Sequence, residues 1–204
     1  MLLNTTPPPS PVPTVSVAAG GSCGPGGRRG TIPLALAASG EPASAVGLSM
    51  TSSNPDLVPT SAIAFGGGGF DRTLAVRPVA GRTGTSVMTI TRLSHGQVTG
   101  SVPVTVRVGA GGADNLAGGD GTDMMFGRNG ADKLAGGGGN DLLCGGNGAD
   151  NVSGGDGDDT VDGGRAKDRL SGGPEADRFV GGRGKDVAGD LNADDGDTQD
   201  GTIP

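Results

Sequence analysis

The chain has 204 residues, of which 44 are Gly, none is Trp or Tyr and only 4 are Phe, so it cannot bury a thick aromatic core throughout. The formal charge of −7 is unevenly distributed, because residues 1–108 hold three acidic side chains and seven arginines, whereas residues 109–204 hold nineteen acidic side chains. The acidic half excludes nucleic acid as a partner and favours cations, and no apolar run reaches the ~18 residues of a membrane span.

Residues 1–11 are rich in Thr and Pro and predict an extended leader. They lack the basic start and apolar run of a secretory signal, so we expect export to be signalled elsewhere or the chain to be the tail of a longer protein. Residues 12–108 alternate between β-forming runs and turns, which predicts an antiparallel β-sandwich. The predicted strands span 14–18, 31–37, 46–52, 61–65, 72–78, 85–93 and 98–108. Within the sixth strand, Met88, Ile90 and Arg92 are expected to share one face.

Four short motifs in this half carry a resemblance to a known class of module. They are Ser52-Ser53-Asn54-Pro55, Leu57-Val58-Pro59, Arg72-Thr73-Leu74 and Gly81-Arg82-Thr83-Gly84-Thr85. The segment resembles the bacterial Ig-like and cadherin-like modules of large secreted proteins. The resemblance implies an Ig-like sandwich over residues 12–108 and a cell-surface ligand for it. One departure is Ser94-His95-Gly96, where such modules often have Ser-Asp-Gly.

From residue 109 the chain repeats every nine residues, which is typical of a stacked repeat architecture. Gly opens each unit, at positions 109, 118, 127, 136, 145, 154, 163, 172 and 181. The sixth position is always acidic: Asp114, Asp123, Asp132, Asp141, Asp150, Asp159, Asp168, Asp177 and Asp186. The eighth position is apolar: Leu116, Met125, Leu134, Leu143, Val152, Val161, Leu170, Phe179 and Ala188. A disordered Gly/Asp linker would not keep the aspartate and the apolar residue in phase.

Each repeat position has a physical explanation. Glycine at positions 1, 2 and 4 suits a turn with positive φ, and positions 7–9 predict a strand of about three residues whose eighth side chain points inward. Aspartates stacked at the ~4.8 Å spacing of neighbouring strands would repel one another. A calcium ion reverses that repulsion, because it takes 6–8 oxygen ligands from carboxylates and carbonyl groups. Mg²⁺ fits less well because it keeps its waters.

The pattern Gly-Gly-x-Gly-x-Asp-x-apolar-x resembles the RTX, or hemolysin-type, calcium-binding repeat. The resemblance implies a right-handed parallel β-roll over residues 109–189, with two nonapeptides per turn and several Ca²⁺ ions between successive loops of each row. It also implies secretion by the type I machinery. Besides the nine aspartates, the implied metal-ligating residues are Gly118, Asp120, Gly121, Gly127, Asn129, Gly130, Gly136, Gly138, Gly139, Gly145, Asn147, Gly148, Gly154, Asp156 and Gly157.

The ends of the repeat region depart from this pattern. Ala110, Ala166 and Glu175 stand where Gly is expected, and a side chain resists positive φ, so distorted loops are expected there. The best sites are therefore predicted in loops two to six. Residues 190–204 form an acidic cap or tail, in which Asp190 and Asp197 either ligate a final ion or remain solvated.

Two cysteines, Cys23 and Cys144, lie in different halves. Their number permits a disulfide but does not establish one, and two separate thiols are the favoured interpretation. The single histidine, His95, has no nucleophile partner in the sequence and is expected in a solvated turn.

These features predict an all-β protein that is secreted, extracellular, non-catalytic and calcium-binding. Two alternatives stay open. In one, the N-terminal half of an adhesion protein recognises a surface ligand. In the other, the chain is the C-terminal secretion tail of a larger exported enzyme.

Overall fold

The structure, a computed structural model, describes residues 14–37, 41–193, 195–200 and 202–203, so the predicted leader 1–11 lies outside the described residues. The described part is built from strands, with three single-turn 3-10 segments at Pro25–Gly27, Ala43–Ala45 and Thr60–Ala62. An all-β fold is therefore confirmed. Within the same ranges no helix has the length and apolar character needed to cross a bilayer.

The N-terminal half contributes eight strands. They are β1 (Val15–Val17), β2 (Ser22–Cys23), β3 (Gly30–Leu36), β4 (Val46–Ser52), β5 (Ile63–Gly68), β6 (Asp71–Val76), β7 (Gly84–Ser94) and β8 (Gln97–Val108). The sequence predicted seven of them. It missed β2, because two residues are too few to show an alternating pattern.

These strands form two antiparallel layers around one apolar core. One sheet has the order β1-β3-β6-β5, with β2 beside β3, and the other layer contains β4, β7 and β8. Met88 and Ile90 of β7 are fully buried and share a core with Leu34 and Leu74 of the first sheet. Arg92 lies on the same face of β7, where Glu41 pairs with its guanidinium. The alternation is thus confirmed, while an immunoglobulin-like identity stays a prediction.

The C-terminal half contributes ten strands. They are β9 (Asn115–Asp120), β10 (Asp123–Asn129), β11 (Lys133–Gly138), β12 (Leu142–Asn147), β13 (Asn151–Asp156), β14 (Thr160–Arg165), β15 (Arg169–Ser171), β16 (Arg178–Arg183), β17 (Val187–Ala188) and β18 (Thr198–Gln199).

Successive strands alternate between two parallel sheets. Odd-numbered strands β9 to β17 form one sheet, and even-numbered strands β10 to β18 lie in the other. Leu134 pairs with Leu116 on one side and Val152 on the other, a shift of two nonapeptides per turn. Most strands have six residues rather than three, because backbone pairing continues into the first three positions of the next unit. The two-sided parallel roll is confirmed, and its hand stays a prediction.

The eighth positions form the core of the roll. Seven of them are buried in one cluster: Met125, Leu134, Leu143, Val152, Val161, Leu170 and Phe179. Leu116 is only half-buried, because β9 is the edge strand of its sheet. Ile203 joins this cluster from the C-terminal tail. The predicted inward direction of the eighth side chain is therefore confirmed.

Truncating a side chain at the centre of the roll's core should destabilise the folded state. Leu143 is fully buried and lies between Met125 and Val161 in register. We expect Leu143→Ala to lower the free energy of unfolding by about 2–5 kcal/mol, because it leaves a cavity between rigid strands. Denaturant unfolding with saturating calcium measures this, with Val187→Ala, at a 49% exposed side chain, as the control. Equal losses for both variants would contradict a packed core.

The two halves share one sheet. Strand β8 pairs with β7 on one side and, through Thr105–Val108, with β10 in parallel on the other, so the eight-stranded sheet continues across residue 108.

The neighbours of the eighth position point out of the roll as expected, but Met124 and Leu142 are buried in the N-terminal core. At Gly30 a Cβ would approach both of these side chains to 2.7 Å. The N-terminal sheet therefore packs directly on the outer face of the roll.

A covalent bond reinforces this contact. Cys23 and Cys144 form a disulfide, with their Cα atoms 5.8 Å apart. The expectation of two separate thiols is wrong. It failed because only the tertiary structure shows that β2 lies over β12, 121 residues further along the chain.

Candidate metal centres

The repeat loops form two rows along the roll, and their aspartates are linked from coil to coil. The N–H of Asp123 donates to Oδ1 of Asp141, and the N–H of Asp132 donates to Oδ1 of Asp150, both at 2.8 Å. The same bond recurs every eighteen residues in both rows. These hydrogen bonds fix the orientation of the position-6 aspartates, because Oδ1 of each accepting aspartate is bound to a backbone N–H.

The second carboxylate oxygen remains without a protein partner at most of these positions. Among the described residues, Oδ2 is buried and accepts no hydrogen bond in Asp132, Asp141, Asp150, Asp159, Asp168, Asp177 and Asp186. A buried charged oxygen without a partner is strongly unfavourable. A cation beside each Oδ2 would remove that penalty.

At the glycine that opens each unit, the aspartate Oδ2 and a backbone carbonyl oxygen of the next coil both lie close to the glycine Cα. A Cβ added to Gly145 would lie 2.5 Å from Asp150 Oδ2 and 2.7 Å from the carbonyl oxygen of Gly163, one coil further on. Gly127 is similarly placed, at 2.5 Å from Asp132 Oδ2 and 2.6 Å from the Gly145 oxygen. A side chain here would fill the space between the two oxygen ligands.

The glycines at positions 1 and 4 have different roles. Gly130 and Gly148, at position 4, have φ of 128° and 132°, as expected for a turn that needs a residue without Cβ. Gly127 and Gly145, at position 1, do not have positive φ. The prediction that glycine is required at position 1 for a positive φ is therefore wrong. Glycine is required there because a Cβ would collide with the carboxylate and carbonyl oxygens.

The donor set fits a hard cation. Within the described ranges, no three His, Cys, Asp or Glu side chains converge on one point, so an ion there would depend on carboxylate and carbonyl oxygens together. Ca²⁺ accepts such mixed oxygen shells, whereas zinc and copper prefer nitrogen and sulfur. The residues present therefore fit calcium.

The predicted position-3 ligands lie at the rim of the rows. Asp120, Asn129 and Asp156 are exposed, and the side-chain amide of Asn147 donates to Asn129 Oδ1 at 2.7 Å. Gly138 offers only its backbone at this position. No contact links these side chains to the position-6 carboxylates, so their role as metal ligands stays a prediction.

Burial raises the pKa values of the position-6 carboxyl groups. Desolvation is the largest cause, and it raises the pKa of Asp141 and Asp150 to about 7 and that of Asp159 to about 8. Neighbouring aspartates of the same row raise these values further, while the hydrogen bond from the preceding aspartate N–H lowers them. The pKa values of Asp168 and Asp177 rise to about 6 for the same main reason.

These pKa shifts predict a pH-dependent stability without calcium and a nearly pH-independent stability with calcium over the same interval. An aspartate whose pKa rises from 3.8 when unfolded to about 7 or 8 when folded binds its proton more tightly in the folded state. In calcium-stripped protein, the free energy of unfolding should therefore fall as pH rises from 5 to 8. With saturating calcium this fall should largely disappear over the same interval, because the metal keeps the carboxylates deprotonated in the folded state, as they already are in the unfolded chain.

Urea unfolding at several pH values measures both dependences, the calcium-free one at the lower pH values, where protonated carboxyl groups leave the roll folded. Asp141→Asn combined with Asp159→Asn should flatten the calcium-free dependence, whereas Asp71→Asn, at an exposed strand end, is the control. A calcium-free stability that rises with pH would contradict the assigned burial.

The loops with unexpected side chains keep the regular geometry. Ala166 and Glu175 adopt φ of 84° and 76°, and the hydrogen bonds to Asp168 and Asp177 are 2.8 and 2.9 Å, as elsewhere. The expected distortion is absent at these two positions. Glu175 also accepts the N–H of Gly157 at 2.8 Å, which ties its loop to the coil before it.

The tail continues the roll as an additional coil. Asp197 Oδ1 accepts the Asp177 N–H at 2.9 Å, the position that the next repeat aspartate would take. Asp190 instead accepts hydrogen bonds from the N–H groups of Gly172 and Gly173, each at 3.0 Å. Sequence reasoning missed Ile203, which closes the core, since an isolated apolar residue in an acidic tail carries no periodic signal.

At the N-terminal end of the row that begins with Asp123, an arginine side chain pairs with the first aspartate. Arg107 of β8 pairs with Asp123 Oδ1, the oxygen that in later coils accepts a backbone N–H. This residue was also missed, because the parallel pairing of β8 with β10 is not visible in the sequence. Arg107 thus stabilises the first aspartate of its row.

A parallel roll whose loops present stacked aspartate and glycine oxygens defines a protein with cation-binding repeats. Residues 108–143, 144–179 and 153–188 match the family model described as RTX calcium-binding nonapeptide repeat (4 copies). The C-terminal half therefore carries RTX calcium-binding repeats. No curated protein and no solved structure matches the chain.

Proposed function

We propose that this chain is a non-catalytic secreted protein whose RTX repeats fold around several Ca²⁺ ions in the extracellular space. The observation that carries the proposal is the series of buried Oδ2 atoms that accept no hydrogen bond from the described residues. Each lies beside an opening glycine, as at Gly127 and Gly145.

In this proposal the position-6 aspartates bind the ions through Oδ2, and the opening glycines contribute carbonyl oxygens from the next coil. Calcium would supply the positive charge that compensates the stacked carboxylates. The hydrogen bonds to Oδ1 orient each carboxylate beforehand. Positions 2, 3 and 4 of the loops are proposed to complete the oxygen shells.

One observation and one general property of calcium modules support an extracellular role. The disulfide between Cys23 and Cys144 suits an oxidising compartment. Extracellular calcium modules bind at ~10⁻⁴–10⁻³ M, so such repeats would remain empty at cytosolic calcium levels. Export through type I machinery belongs to the same proposal. The sequence's single histidine, His95, lies exposed in the β7–β8 hairpin turn, 3.2 Å from Ser94 Oγ.

Calorimetric titration of the whole chain with calcium tests this function. We expect several ions per chain, far weaker binding of magnesium, and a reduced number of ions for Asp141→Asn combined with Asp159→Asn. Asp71→Asn should bind as the unmodified chain does. Equal affinity for magnesium, or an unchanged number of ions in the double variant, would overturn the assignment.

A further inference from the structure

A second site lies where the N-terminal half meets the first coils of the roll. A partly open cavity of about 570 Å³ is lined by Arg28, Arg77 and the segment 78–81 on one side, and by Ala110, Gly111, Arg128 and Asn129 on the other. Its volume falls within the roughly 300–1,000 Å³ of small-molecule sites. Ala110, Gly111, Arg128 and Asn129 belong to the first and third repeat loops, but none of the position-6 aspartates lines the cavity.

The charge of this cavity is uncompensated. Within the described part of the chain, no Asp or Glu lines it, and neither of the two ion pairs there involves Arg28, Arg77 or Arg128. Like charges gathered at a surface without a counter-charge repel one another and favour an anion.

Arg128 is held in place at a conformational cost. It has φ of 78° at a loop position where most other repeats have glycine, and a non-glycine residue with positive φ is strained. Its guanidinium donates to the carbonyl oxygens of Arg82 at 2.8 Å and Val79 at 3.0 Å. These bonds use two of its five N–H groups and fix the guanidinium against the cavity wall.

We propose that this cavity binds a small phosphate monoester through Arg28, Arg77 and Arg128. Guanidinium groups match phosphate oxygens with paired hydrogen bonds. A dianion compensates three arginines better than a single carboxylate does. The space exceeds that of a phosphate group alone, so a body of about monosaccharide size fits beside Pro78 and Thr83. The cavity needs the folded roll, which is why the test is carried out in saturating calcium, but no calcium ion is invoked in binding the phosphate.

Titration calorimetry of the full chain in saturating calcium tests the proposal, with glucose 6-phosphate as the probe. Glucose 6-sulfate, glucuronate and glucose share the sugar and differ in charge or shape. We expect the phosphate to bind tightest, the sulfate and glucuronate at least several-fold more weakly, and glucose not at all. Binding of glucuronate as tight as that of the phosphate, or no binding of the phosphate, would overturn the proposal.

Variants at the two exposed arginines locate the site without disturbing the fold. Arg28→Gln and Arg77→Gln should each weaken phosphate binding about tenfold, the effect of one hydrogen bond to a charged group. Arg72→Gln, which removes an arginine that does not line the cavity, should leave it unchanged. Circular dichroism confirms that each variant is folded. Unchanged affinity in a folded chain that carries both Arg28→Gln and Arg77→Gln, or an equal loss in Arg72→Gln, would refute this location.

Discussion

Above pH 8, where the position-6 carboxyl groups are mostly deprotonated, removal of calcium is expected to unfold the roll of the wild-type chain. Each site filled at tenfold excess over its Kd stabilises the folded state by about 1.4 kcal/mol. Several such sites together approach the whole stability of a small domain, about 5–15 kcal/mol. Without the ions, no positive charge balances the buried carboxylate oxygens. The narrow core of eighth-position side chains from Met125 to Phe179 buries too little apolar surface to offset the conformational entropy lost when so many glycines are ordered.

Circular dichroism with calcium and with a strong chelator measures this loss of β structure. Asp141→Asn should raise the calcium concentration needed for folding, because Asp141 is linked to Asp123 before it and to Asp159 after it. Asp71→Asn is the matched control. Equal β content with calcium and with the chelator would show that calcium does not drive this fold.

Because the two halves share one sheet, removal of calcium should also destabilise the N-terminal half. Strand β8 loses its parallel neighbour when β10 unfolds, and the N-terminal core loses Met124 and Phe126. Hydrogen exchange in β7 and β8 should therefore accelerate on chelation. Unchanged protection there would mean that the N-terminal half folds independently of the roll.

Loss of the disulfide is expected to have the second-largest effect. The bond joins residues 121 apart, and in the chain-entropy model a loop of this length stabilises the folded state by about 4–5 kcal/mol. We expect Cys23→Ala combined with Cys144→Ala to lower the free energy of unfolding by up to about that amount with calcium present. Denaturant unfolding measures the difference.

Reduction of the wild-type protein is the matched control for this double variant, because it breaks the bond without changing a side chain. Both should reach similar stability. Equal stability of the oxidised and reduced protein, or mass spectra showing two free thiols in the purified chain, would contradict the cross-link.

Much of the repeat half follows from local pattern. The nine-residue period placed Leu134, Leu143 and Val152 in the core and Asp132, Asp141 and Asp150 in stacked loops, because each coil repeats the same backbone and meets only its neighbours. The N-terminal strands were likewise visible, since alternation such as that from Met88 to Arg92 reports a half-buried strand.

The relation between the two halves was decided only by tertiary structure. Nothing local indicates that Val106 of β8 lies beside Met124, that Cys23 lies against Cys144, or that Arg128 reaches Val79. Such contacts join residues far apart in the chain, and their energies depend on shape and distance rather than on residue type or spacing. The sequence alone thus determined the repeat and its calcium chemistry, while the tertiary structure decided how the N-terminal half closes over the roll.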